Sequence, residues 1–166
     1  RKNAVKLMKQ LTARNKGLLT GTVMILLSLF FFYVLKQPVK SDLQYIIYSL
    51  FTIGILWTLV DYKKRAAELP RFKDLFSEGF KMFAIVTLLM VGYVFVFYRF
   101  NTGIIDTQFA ENDRLLLQQG DHTPAEIAEN TKQMKRIFMP MMLGITTFMY
   151  LFLGSMITIV AAVFLS

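Results

Sequence analysis

Charge is missing from four long stretches of this chain, and that segregation constrains the fold more than any other feature. Gly17 to Leu35, Leu43 to Val60, Met82 to Tyr98 and Ile137 to Ser166 contain no Asp, Glu, Lys, Arg or His, over 19, 18, 17 and 30 residues. About 20 apolar residues in a helix cross the hydrocarbon core of a bilayer. Each stretch can therefore span. Only 18% of the 166 residues are charged and 55% are hydrophobic, whereas soluble domains devote about 25% of their residues to charge. The pattern predicts an all-α polytopic membrane protein, one membrane domain over residues 1–166. Its spans are expected at about 17–35, 43–60, 82–98 and 137–166. A disordered chain, a disulfide scaffold and a water-soluble enzyme are excluded.

The basic residues then suggest an orientation. The formal net charge is +8, and residues 1–16 alone hold Arg1, Lys2, Lys6, Lys9, Arg14 and Lys16 without an acid. A cluster beside a span predicts anionic headgroups rather than nucleic acid as its partner. The first apolar run is too long for a signal-peptide core and lacks a small-residue cleavage site, so it reads as an uncleaved span. Lys and Arg number 6, 2, 6 and 5 in residues 1–16, 36–42, 61–81 and 99–136. Basic loops stay on the cytoplasmic side. Both termini are thus expected in the cytoplasm, with loop 99–136 outside.

Local patterns refine the picture. Ala4, Leu7, Met8 and Leu11 make residues 1–16 a short basic amphipathic helix, a positive-inside anchor on the inner leaflet. Gly17 and Gly21 form a GxxxG, and Gly154 is a further close-packing position, since small residues let helices approach. Trp57 and Tyr62 read as an aromatic belt meeting Lys63, Lys64 and Arg65. Phe72, Phe76, Phe80 and Phe83 share one helix face, which is expected to lie in the interface before turning into the third span, with Pro70 at or near its first turn. In the loop, Thr123-Pro124-Ala125-Glu126 reads as a capping box with Pro at the first helical position. Together with an earlier helical pattern ending before Gly120, it predicts an external helical hairpin between spans three and four. Pro140 should bend the overlong fourth span.

The chemical inventory is poor. Ionisable groups inside spans mark proton relays and ion paths, and the four predicted spans have none. Their hydroxyls, from Thr20 to Thr158, are expected to bond their own helices. There is no cysteine, which removes thiol nucleophiles, iron–sulfur clusters and Cys-based zinc sites. The lone His122 beside Asp121 and near Glu126 reads as turn and capping chemistry. No catalytic residue, metal site or cofactor is assigned, and a non-enzymatic role is expected.

Several segments carry a family likeness: Tyr48-Ser49-Leu50 to Trp57-Thr58-Leu59, Asp61-Tyr62-Lys63-Lys64-Arg65, Phe76-Ser77-Glu78-Gly79-Phe80-Lys81 and Ala125-Glu126-Ile127-Ala128. They resemble a family of small four-helix inner-membrane proteins from Bacteroidetes, the domain-of-unknown-function family numbered forty-one ninety-nine. The resemblance implies four spans in the cytoplasmic membrane of a Gram-negative bacterium and brings no activity with it. Genes of that family often lie near glycosyltransferases that look like polyprenyl-phosphate sugar synthases, which suggests one class of partner.

Two roles are therefore expected. The leading one is a membrane accessory or scaffold subunit that packs its helices on a protein partner or on further copies of itself, among membrane lipids. The alternative is a binder of anionic or polyprenyl-phosphate lipid, supporting a membrane glycosyltransferase. Lys63, Lys64, Arg65, Lys73 and Lys81 would surround the phosphate, with Trp57 and Tyr62 at headgroup depth.

Overall fold

A computed structural model of the chain describes residues 11–36 and 42–166. These residues fold entirely as helices: α1 (Ala13–Tyr33), α2 (Gln44–Arg65), α3 (Phe72–Phe100), α4 (Thr102–Gln119) and α5 (Pro124–Leu165). All but α4 are long and apolar enough to cross a membrane. The protein is thus an all-α chain with four candidate spans. Of the amphipathic helix expected over residues 1–16, residues 1–10 lie outside the described residues, while Ala13 to Lys16 are the first turn of α1.

Side chains set the helix ends. Thr12 caps α1 by accepting from the Asn15 N–H at 3.3 Å, which satisfies one of the amides left unpaired at a helix start. α2 finishes on Lys63, Lys64 and Arg65, cations that favour the negative end of the helix dipole. At the start of α3 the Asp74 carboxylate accepts from the Arg71 N–H at 3.3 Å. Gly120 terminates α4 at a φ of 75°, a left-handed conformation that costs glycine little. The expected capping box opens α5, with Thr123 N–H donating to Glu126 Oε2 at 2.8 Å and Glu126 N–H donating to Thr123 Oγ1 at 3.3 Å.

One expectation changes. The phenylalanine stripe does not lie apart from the third span, because α3 runs without a break from Phe72 to Phe100. Its 29 residues extend over about 44 Å, more than a bilayer core needs. The first turns can therefore stand in the interface while the same helix continues inward. Pro70 lies two residues before the first helical turn. α5 has 42 residues, with Pro140 inside it.

The chain groups into two compact units. The first contains α1, α2, the part of α3 up to Met90, and α5 from Thr147 onward. Met24, Phe51, Ile55, Leu59, Leu75, Met82, Phe83 and Val86 are fully buried there. Tyr150 packs edge-on against Phe51, with ring centroids 5.3 Å apart. Glycines bring the helices together. A Cβ at Gly17 would meet the Met82 carbonyl oxygen at 2.6 Å, one at Gly21 would meet Leu89 Cδ1 at 2.6 Å, and one at Gly154 would meet Phe83 Cγ at 2.6 Å. Gly54 and Gly79 likewise admit Thr20 and Thr158.

The second unit is Val91–Thr146. Here α4 runs antiparallel to the start of α5. Thr131 donates to Asp113, Lys135 pairs with Asp106 at 2.6 Å, and Phe109 packs edge-on against Phe138 at 5.9 Å.

Hydroxyls in the apolar helices mostly bond backward along their own helix. Ser28, Ser49, Thr52, Thr58, Thr87 and Thr146 each donate to the carbonyl four residues earlier. Such bonds spare the hydroxyl an unsatisfied donor in an apolar medium. Thr158 Oγ1 is the exception, buried without a conventional hydrogen bond among the described residues. It sits against Gly79.

Candidate functional site

The first unit holds a charge cluster between α1 and α2. Lys16 is completely buried, and burying an ammonium is costly unless a counter-charge accompanies it. Asp61 supplies that charge by pairing with the Lys16 ammonium. Trp57, one turn earlier on α2, lies beneath it, with Lys16 Nζ 5.0 Å from the ring centroid. Such a cation–π contact adds attraction where water is excluded.

Arg65 completes the cluster from the next turn of α2. Its Nη2 lies 2.7 Å from Asp61 Oδ2, its Nε donates to the Asp61 backbone carbonyl at 3.3 Å, and Nη2 also donates to the Leu11 carbonyl at 3.4 Å. One carboxylate thus serves two cations, and the group carries a net charge of +1. The exposed part of that charge is Arg65, whose side chain is 44% exposed against 0% for Lys16.

The remaining basic candidates behave differently from one another. Lys81 forms a surface pair with Glu78 at 2.8 Å. Lys64 and Lys73 are exposed and Lys63 is half-buried; none of the three has an ion pair among the described residues. Tyr62 is half-buried beside them. Arg65, Trp57 and Lys16 therefore form one contact set, while Lys63, Lys64, Lys73 and Lys81 lie outside it.

In the second unit a cavity of about 310 Å³ is lined by Leu116, His122, Glu126, Ile127 and Asn130. Its acid is already committed to the capping box. The Thr123 backbone N–H holds the Glu126 carboxyl below its ordinary pKa, helped by the Thr123 side chain and the nearby His122. Because the folded pKa is depressed, this contribution is complete above the ordinary carboxyl range and fades as pH falls through the folded value. Acidification from pH 6 to about 3 should therefore loosen the first turn of α5. Carbon chemical shifts of residues 124–128 in wild type and Glu126→Gln read this directly. Wild type should move toward the Gln variant at low pH; parallel profiles would show that the cap does not carry the dependence.

Among the described residues no group of three His, Cys, Asp or Glu is placed to hold a metal ion. Comparison with known proteins bears on the whole constellation. The family model described as "Protein of unknown function (DUF4199)" matches residues 15–166, which include α1 from Asn15 onward, the three other long helices and the charged side chains of the cluster. The chain belongs to this DUF4199 family. No curated protein and no solved structure matches it. DUF4199 therefore assigns no role to any side chain, and chemistry must be argued from the geometry itself.

Sequence reasoning does not pair Lys16, one charge of the basic N-terminal cluster, with Asp61, which follows the second apolar run. A signal was present in the spacing. Lys16 lies 17 residues before the end of α1 and Asp61 lies 17 residues after the start of α2. Two antiparallel helices joined by a short connection bring such positions level.

Proposed function

We propose that this DUF4199 protein is a non-enzymatic membrane subunit that docks a partner's helix on its lipid-facing surface. The carrying observation is a contrast among glycines. Gly17, Gly21, Gly54, Gly79 and Gly154 are occupied by close helix contacts, whereas a Cβ at Gly92 or Gly144 would meet nothing within 4 Å among the described residues. Glycine weakens a helix by about 1 kcal/mol relative to alanine, and close approach of another helix is what offsets that cost in a membrane. Exposed Phe95 and Val96 flank Gly92, and exposed Ile137, Pro140 and Ile145 surround Gly144.

In this reading the chain sits in a bacterial cytoplasmic membrane with loop 99–136 in the periplasm and both termini inside. The excess of Lys and Arg on that side supports the orientation. The partner is a membrane protein, or a second copy of the chain, met in the bilayer.

The test is co-purification from native membranes after crosslinking, comparing wild type with Gly92→Leu and Gly144→Leu. Both positions are open, so the variants should remain folded and monodisperse yet lose the crosslinked species. Retention of that species in both variants would remove the basis for this function.

A further inference from the structure

Arg65 is built differently from the basic residues around it. A guanidinium has five N–H donors. Three of them are spent: Nε on the Asp61 carbonyl, and Nη2 on both Asp61 Oδ2 and the Leu11 carbonyl. These contacts hold the group from its own helix and from the residue that precedes the cap of α1. The two donors on Nη1 have no partner among the described residues, and the side chain is 44% exposed. Asp61 is shared with fully buried Lys16, so the three groups carry a net charge of +1 whose exposed member is Arg65.

Depth supports an anionic ligand at that edge. Arg65 is the last residue of an apolar helix, and Trp57 and Tyr62 lie within its final turns. Aromatic rings of this kind mark the level of the headgroups, where lipid phosphates lie. Guanidinium suits phosphate because its planar donors match the oxygens, and a donor already oriented loses little entropy on binding.

We propose that Arg65 binds the phosphate of an anionic membrane lipid through its Nη1 donors, with Asp61 as the residue that positions it. Lys16 takes no part in the contact, since its ammonium is enclosed. Selectivity resides in this one arginine and not in the lysines Lys63, Lys64, Lys73 and Lys81, which lie outside the contact set. This site does not depend on the partner-docking reading and would stand if that reading failed.

The experiment uses the full chain in nanodiscs of equal phosphatidylglycerol and phosphatidylcholine, with native mass spectrometry reading which lipid stays bound after release. Arg65→Lys keeps the charge and removes the fork; Lys64→Gln removes a neighbouring charge and leaves the fork. Preference for phosphatidylglycerol should fall about tenfold in Arg65→Lys, the scale of one charge-assisted hydrogen bond. It should change by less than about twofold in Lys64→Gln, as expected for an exposed charge. Equal losses in the two variants, or none in Arg65→Lys, would overturn the proposal. Displacement of the lipid by inorganic phosphate, without preference between lipids, would assign the site to a soluble phosphate and overturn the lipid assignment. A wild-type measurement is independent of variant folding. The Arg65 Nε–H resonance should shift when phosphatidylglycerol replaces phosphatidylcholine, and an unmoved resonance also counts against the site.

Discussion

Asp61→Asn is expected to destabilise the first unit by about 3–5 kcal/mol, the usual cost of leaving one member of a buried ion pair unpaired. The magnitude follows from Lys16. Its side chain is completely buried, so the ammonium cannot recover water when the carboxylate is lost. Arg65 would lose its carboxylate partner at the same time, keeping only its contacts to the Asp61 and Leu11 backbone carbonyls. The double variant Lys16→Met/Asp61→Leu should recover most of the loss, because a well-packed apolar pair commonly matches a buried ion pair. Reversible unfolding in bicelles, comparing the three proteins, measures both effects. If the single variant were as stable as the double, Lys16 would have to find another acceptor or water, and the enclosed geometry would be wrong.

Gly17→Ala should cost about 1–3 kcal/mol, although alanine is the better helix former. A Cβ there would lie 2.6 Å from the Met82 carbonyl oxygen and 3.1 Å from Ile85 Cβ. Backbone cannot turn aside as a flexible side chain can, so α1 and α3 would have to separate, with loss of packing along the seam that continues at Gly21 and Leu89. Gly92→Ala is the control. Nothing lies within 4 Å of its Cβ position among the described residues, so the variant should be neutral or more stable by up to about 1 kcal/mol. The same unfolding measurement separates the two sites. Similar values for both would mean that helix propensity, and not interhelical distance, controls these positions.

Much of the fold was legible in the sequence for a simple reason. Long uncharged runs can satisfy their backbone polar groups within a bilayer only as helices or closed barrels, and runs of this length select helices. The α5 capping box was readable because both of its bonds join Thr123 to Glu126, three residues apart. The phenylalanine stripe shows where local reading stops. Spacing put Phe72, Phe76, Phe80 and Phe83 on one face, and the rings do follow one another along α3, at 6.1, 6.5 and 5.2 Å between centroids. Yet spacing could not say whether that face belongs to a separate interfacial helix or to the start of the span, because both place the same side chains on the same side.

The sequence by itself determined the helical class, the four candidate spans and the local start of α5, since these depend on hydrophobicity and on contacts a few residues apart. Only the tertiary structure decided which charges meet and which glycines are occupied. Lys16 and Asp61 stand 45 residues apart in the chain and share one buried site, and Gly17 is closed by Met82 while Gly92 stays open. Residue type alone did not distinguish an enclosed lysine from a solvated one, or a filled glycine notch from an empty one. That distinction is made by the register between helices, because a rotation or slide of one turn changes every neighbour a side chain has.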